Sequence, residues 1–254
     1  MKSREINLNL EGTKAEIIYQ KFQDIEVKTF LVNFKIMRTV LSTLEGFKKA
    51  KFVGNNYAPV QLHDFLYKNK KEEEYKEKIF ADLGVEPEYT AMLYTGADVD
   101  NISIKTEEFG DIKICACVTA GVKSNAQRIG VDEAKNIEKD GEFETLGTIN
   151  IILLTNASLT DGAMARSIIT ITEAKTISLQ DLDIRSSYNP EIQATGTGTD
   201  NIIVVSGFGP KITYVGGHAK VGEIMAKAVT SAVKEAILKQ EKLKGDNKSF
   251  KEQK

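Results

Sequence analysis

Apolar and polar residues alternate at residues 6–10, 15–19 and 27–34, with Glu11-Gly12 between the first two segments. A period of two sends successive side chains to opposite faces of a sheet, so these segments predict short strands of an antiparallel start. Residues 59–84 predict a helix whose centre, KNKKEEEYKEK, reads as a solvated face laced with i,i+4 pairs more readily than as a partner-binding arm. Strands are predicted at 90–94, 102–105 and 112–119, with Gly110-Asp111 turning between the last two. Residues 130–141 are polar and acidic, and predict a loop or short helix over the mouth of whatever the VTAG turn lines. At 148–155 the pattern changes to an almost unbroken apolar run, NIILL, which implies a strand buried on both faces. A helix over 161–182, a second buried strand over 201–206 and a last helix over 217–240 complete the ordered part. The predicted fold is therefore α/β, a layered mixed sheet covered by long helices, in one domain over 1–240. Residues 241–254 fall in a charged, glycine-broken tail expected to be disordered and to play no part in chemistry.

Composition narrows the function classes. With 254 residues, 41% apolar and 28% charged, the chain can build one sizeable core. A net charge of -2 provides no basic excess for a phosphate backbone, which argues against nucleic acid. No run of about 18 apolar residues exists to insert in a bilayer. The opening MKSREINLNLEG lacks the apolar core of a secretion signal, so a cytosolic chain is expected, and a homo-oligomer is compatible with it. Cys115 and Cys117 form a C-x-C pair on one face of a strand, read as small core thiols in preference to a redox or metal site. Of the two histidines, His63 reads as surface, so a metal site would have to lean on carboxylates or thiols, and none is expected.

The candidate chemistry sits at the ends of the apolar elements, where sites usually lie. In the helix over 161–182, Met164, Ile168, Ile171 and Leu182 share one stripe and Ile169 and Ile177 lie nearly opposite, so burial on two sides is expected. Lys175 falls inside the first stripe and Glu173 between the opposite isoleucines, where a charge needs either a partner or a function. Thr160 and Asp161 stand at the helix start as alternative caps. The preceding turn, which contains Asn156, also offers an oxyanion position at the helix N-terminus. Asp161 and Glu173 are twelve residues apart, roughly 18 Å at about 1.5 Å per residue, so both cannot touch one scissile amide.

Two further segments offer hydroxyls and main-chain N–H groups beside glycines. ATGTGTD, residues 194–200, carries Thr195, Thr197, Thr199 and Asp200; VTAGVKSNAQR carries Ser124 and Asn125. Neither is a phosphate-binding P-loop, because no Gly-Lys-Ser/Thr follows and the strand comes after the first loop instead of before it. Each has a plainer reading as a tight connector or an Asx turn. His218 follows Gly216-Gly217 and is expected in the first turn of the last helix, where the helix dipole favours a neutral imidazole able to accept a proton, bind a metal, or simply cap.

The run from Gly147 to Gly207, read with VTAGVKSNAQRIGVDEA before it and YVGGHAKVGE after it, resembles the adenosylcobinamide amidohydrolase family of cobamide salvage. The likeness extends back through AMLYTGADVDN and FLVNFKIMRTVLSTLEGF, so it covers roughly residues 25–238 in order. One departure is Ala219, where the family commonly has a hydroxyl residue after the histidine. The resemblance implies a hydrolase that cleaves the aminopropanol amide of adenosylcobinamide to give adenosylcobyric acid. Its partner is a corrinoid, cobalt enters as part of the substrate, and no separate cofactor is implied. Amide hydrolysis needs a base, an attacking oxygen and oxyanion donors, for which His218, Glu173 or Asp161, the threonines and serine, and Asn125 are the available types. Expected catalytic residues are His218, Glu173 and Asp161; expected substrate contacts are Ser124, Asn125, Asn156, Thr160, Lys175, Thr195, Thr197, Thr199 and Asp200. The competing readings are a non-catalytic corrinoid carrier, with His218 as a lower cobalt ligand, and an amidohydrolase of unrelated small amides.

Overall fold

A computed structural model of the chain describes residues 2–134 and 148–242. The alternating start forms β1 (Lys2–Ile6), β2 (Thr13–Phe22), β3 (Ile25–Ser42) and β4 (Gly46–Tyr57), each antiparallel to the next. The expected strand at 6–10 is displaced: β1 ends at Ile6, Asn9 adopts φ 54°, and Leu8 and Leu10 still bury their side chains. The expected helix over 59–84 is two, α1 (Val60–Asn69) and α2 (Glu72–Leu83), broken at left-handed Lys70. The break lets Leu62 and Leu66 of α1 and Tyr75 and Ile79 of α2 pack into one cluster with Phe22 and Val27.

β5 (Thr90–Thr95) lies parallel to β4, and β6 (Ser103–Phe109) and β7 (Ile112–Ala120) form a hairpin through Gly110 at φ 56°. Short β8 (Ala126–Gln127), buried β9 (Ile149–Thr155) and short β10 (Ser158–Leu159) lead into α3 (Asp161–Asp181). β11 (Gly196–Thr197), β12 (Asn201–Val205), β13 (Lys211–Ile212) and α4 (Lys220–Lys242) follow. Residues 130–134 form no helix or strand; the remainder of the segment expected over 130–141 lies outside the described residues, as does the tail beyond Lys242.

Nine of the strands form one curled mixed sheet in the order β1-β2-β3-β12-β9-β7-β6, with β4 on β3 and β5 on β4, while β8 pairs with β11 and β10 with β13 outside it. β12 runs parallel to β9, pairing Asn201 with Asn150, and β9 runs antiparallel to β7. Both faces of the central strands are covered, which is why NIILL has no polar alternation. Ile151 and Leu153 pack toward α3 and α4, while Ile152 and Leu154 join Ile17, Phe30 and Val32 in the fold of the curled sheet. The layered α/β architecture expected from the pattern is the one observed. Cys115 and Cys117 point into that second core, buried and free, with sulfurs 4.0 Å apart. Among the described residues no helix is long and apolar enough to cross a membrane.

The expected two-sided burial of α3 is not found. Ile171 and Lys175 are buried, but Ile169 and Ile177 are 47% and 49% exposed, and Glu173 between them is exposed as well. The apolar stripe docks on α4 and the sheet, and nothing covers the outer face among the described residues.

Candidate functional site

The two glycine- and hydroxyl-bearing segments meet as an antiparallel ribbon, Gly196 opposite Gln127 and Thr197 opposite Ala126. Asp200 organises the loop that follows. Its carboxylate accepts the main-chain N–H of Ile149 at 3.1 Å and that of Thr197 at 3.0 and 3.1 Å, together with the Thr197 hydroxyl. Lys175, reaching from the buried stripe of α3, forms an ion pair with the same carboxylate. Gly196 has to be glycine: a Cβ there would overlap both the Asp200 carboxylate and the Lys175 ammonium. At Gly198 a Cβ would stand 2.9 Å from Gln127 Oε1. Lys175 is thus the buried charge the helical spacing foresaw, and its partner is a carboxylate.

Beside this loop lies a cavity of about 170 Å³. Thr148, Thr199 and Asn201 bound it at the entrances of β9 and β12, Gly121, Lys123 and Ser124 beyond the end of β7, and residues 94–97 at the end of β5 and just past it. Leu44, Val60, His63 and Gln240 complete the wall. A chain of buried amides supports it. Asn150 Nδ2 donates to Asn55 Oδ1 at 2.8 Å and to the Tyr94 carbonyl at 2.9 Å, Asn55 Nδ2 donates to Thr119 Oγ1 at 2.8 Å, and the Thr148 hydroxyl donates to the Thr199 carbonyl. A satisfied polar network of this kind holds its walls in one arrangement.

His63, expected at the surface, is instead a cavity residue. Burial lowers its imidazole pKa, against the opposing effects of main-chain hydrogen bonds with Thr95 and Ala58 and of neighbouring Asp64. Its position had a signal in the sequence, since residues 59, 62, 63 and 66 share one helical stripe with the buried Leu62 and Leu66. Burial pushes the Tyr94 phenol above its ordinary range, and Lys123 pairs with Glu241 at 3.2 Å.

The other expected residues divide between the two ends of the sheet. At the cavity end, Ser124 and Thr199 line the wall. Asn125 Nδ2 approaches Thr199 Oγ1 at 3.5 Å, and its Oδ1 accepts from Tyr188 at 3.4 Å. Thr197, Asp200 and Lys175 stand behind them, and the Thr195 hydroxyl accepts the N–H of Ile129 at 3.0 Å. Asn156, Thr160 and Asp161 lie beyond the far end of β9. Asn156 tethers the β6–β7 turn, accepting the N–H of Lys113 at 2.8 Å and donating to the Asp111 carbonyl at 2.7 Å. It also lines a second cavity, of about 390 Å³, with Arg38 and Phe208. Thr160 is the N-cap of α3, its hydroxyl accepting from Ala163 at 3.3 Å, and Asp161 beside it is exposed.

His218 does not open the last helix. It lies two residues before α4, exposed, with its ring centroid 5.0 Å from that of Tyr214. Gln240, which lines the first cavity, is twenty residues along α4 from Lys220, roughly 30 Å at 1.5 Å per residue. His218, Asp161 and Glu173 therefore do not converge with the cavity hydroxyls. Among the described residues no group of three or more His, Cys, Asp or Glu side chains is arranged to hold a metal ion.

The chain is an α/β protein, a mixed sheet backed by long helices with a partly enclosed polar cavity at its strand ends. The chain belongs to the adenosylcobinamide amidohydrolase family, whose model matches residues 13–245. It is 51% identical over 230 residues to the uncharacterized protein MJ1613 of Methanocaldococcus jannaschii, covering 86% of this chain and 89% of that protein. It is 37% identical over 101 residues to the adenosylcobinamide amidohydrolase of Methanosarcina mazei, covering 36% of this chain and 46% of that protein. Among solved structures, the PH0078 protein from Pyrococcus horikoshii OT3 superimposes with a TM-score of 0.45 at 12% identity, over 92% of this chain and 85% of that one.

Proposed function

We propose that the protein hydrolyses the amide joining the aminopropanol arm to the corrin ring of adenosylcobinamide, releasing adenosylcobyric acid and aminopropanol, and that cleavage occurs in the cavity beside Thr148, Thr199 and Ser124. The observation that carries this reading is the cavity itself. It lies where two polar segments of the family-matched region converge, and it presents hydroxyl groups, an amide and an imidazole to one small volume. At about 170 Å³ it is smaller than the ~300–1,000 Å³ typical of sites that enclose a whole drug-sized ligand, so it suits the linear arm while the macrocycle remains outside. Leu44 and Val60, 53% and 50% exposed, form an apolar rim on which the corrin can rest. The corrinoid's own cobalt enters as part of the substrate, and the proposal includes no other cofactor.

The test is incubation of the purified protein with adenosylcobinamide, followed by mass spectrometry. Equal amounts of adenosylcobyric acid and aminopropanol are expected. Tight corrinoid binding with the substrate recovered intact would overturn hydrolysis in favour of a carrier.

A further inference from the structure

We infer that His63 is the proton carrier of the reaction, taking a proton from the attacking water and delivering it to the departing amine nitrogen; this rests on the proposed cleavage of the amide in the cavity. Three cavity-lining side chains can titrate, His63, Tyr94 and Lys123. Tyr94 is held protonated by burial, with Glu45 and Glu73 adding to the effect, and the Lys123 ammonium faces Glu241 of α4. Asp200, in the loop beside the cavity, already accepts at both oxygens from Thr197, Ile149 and Lys175, so it has little capacity left for a substrate proton. The charged neighbours of His63 are Asp64 on its own helix and Lys123 across the cavity. The imidazole pKa lies below its ordinary value through burial, so the ring is neutral and able to accept at pH 7.

The step balances without any further reactant. Water attacks the amide carbon and a C–O bond forms as His63 takes the water's proton. The tetrahedral oxyanion collapses, the C–N bond breaks, and the imidazolium gives its proton to the leaving nitrogen. The products are the carboxylic acid and the amine, with His63 again neutral.

Steady-state kinetics of wild type, His63→Gln and His63→Ala, with and without added imidazole, test this. Folded His63→Gln, checked by circular dichroism, is expected to lose 10²-fold or more in kcat, in keeping with the ~10²–10⁴ typical of a general base, with KM changed by only a few fold. Imidazole should restore part of the His63→Ala activity, and the wild-type kcat/KM should fall on acidification with a midpoint below that of a free histidine. A folded His63→Gln protein with undiminished kcat, or a wild-type profile without that acidic limb, overturns the inference while leaving the hydrolase reading in place. A wild-type protein that leaves adenosylcobinamide intact overturns the hydrolase reading and the inference with it.

Discussion

Replacing Lys175 by methionine removes one charge from a pair enclosed between α3 and the loop entering β12, where the two side chains are 9% and 13% exposed. Removing one member of a buried pair costs roughly 3–5 kcal/mol when the remaining charge is left uncompensated. Asp200 keeps hydrogen bonds from Thr197 and from Ile149, at 3.0 and 3.1 Å for the main-chain donors, and these offset part of that penalty. The expected loss is therefore about 2–3 kcal/mol. The methionine fills most of the lysine's stem volume, so a cavity term adds little. For a domain of this size each kcal/mol lowers Tm by roughly 2–4 °C, which places Lys175→Met about 4–12 °C below wild type in a calorimetric scan. Adding Asp200→Asn should recover part of the loss, because the stranded carboxylate sets the cost; a coupling of ~1–3 kcal/mol is expected from the double-mutant cycle. A single variant melting within about 1 °C of wild type, or strictly additive effects in the cycle, would refute this account of the pair.

Gly196→Ala should destabilise to a similar degree, about 2–3 kcal/mol by urea unfolding, because its Cβ must separate Lys175 from Asp200. Glu173→Gln and His218→Ala, both on exposed positions away from the cavity, should change stability by no more than ~0.5 kcal/mol and leave turnover near wild type in the mass-spectrometric assay. Leu44→Asp or Val60→Asp should raise KM about tenfold in the same assay with the fold intact, since withdrawing one aliphatic contact is worth roughly 1.5 kcal/mol. Acidification should also weaken the fold: the pKa of His63 is lower folded than unfolded, so stability present above about pH 6.5 is lost as pH falls below the unfolded value, and His63→Gln should flatten that part of a Tm–pH curve.

The elements that were legible in the sequence are those whose pattern matches a single environment. NIILL reads as doubly buried because both faces of β9 are covered, and the stripe through Met164, Ile171 and Lys175 reads as the inner face of α3 because it is. β4 was not foreseen. Its sequence GFKKAKFVGNNY mixes lysines and asparagines with few apolar residues, and it is a strand because β3 and β5 hydrogen-bond to it on either side. The site was half legible. Polar residues at strand ends mark where a site can be, but not which end each occupies. Asn156 and Thr199 lie at opposite ends of the parallel pair β9 and β12, a fact fixed by pairing register and absent from local spacing. Lys175 signalled its need of a partner, while Asp200, twenty-five residues on, is brought to it only by tertiary folding. His63 escaped notice because it precedes the charged run at 68–78 and lies outside the motifs that carry the family likeness, although it shares a stripe with Leu62 and Leu66.

The central claim is the location of the site, and the cobalt of the substrate makes that location directly observable. Crystals of the His63→Gln protein soaked with adenosylcobinamide, measured at the cobalt absorption edge, give an anomalous peak at the metal. The account predicts one peak outside the first cavity, over the rim formed by Leu44 and Val60, with the aminopropanol arm directed toward Thr148 and Thr199. A peak at the opposite end of the sheet, beside Arg38, Asn156 or His218, would contradict it.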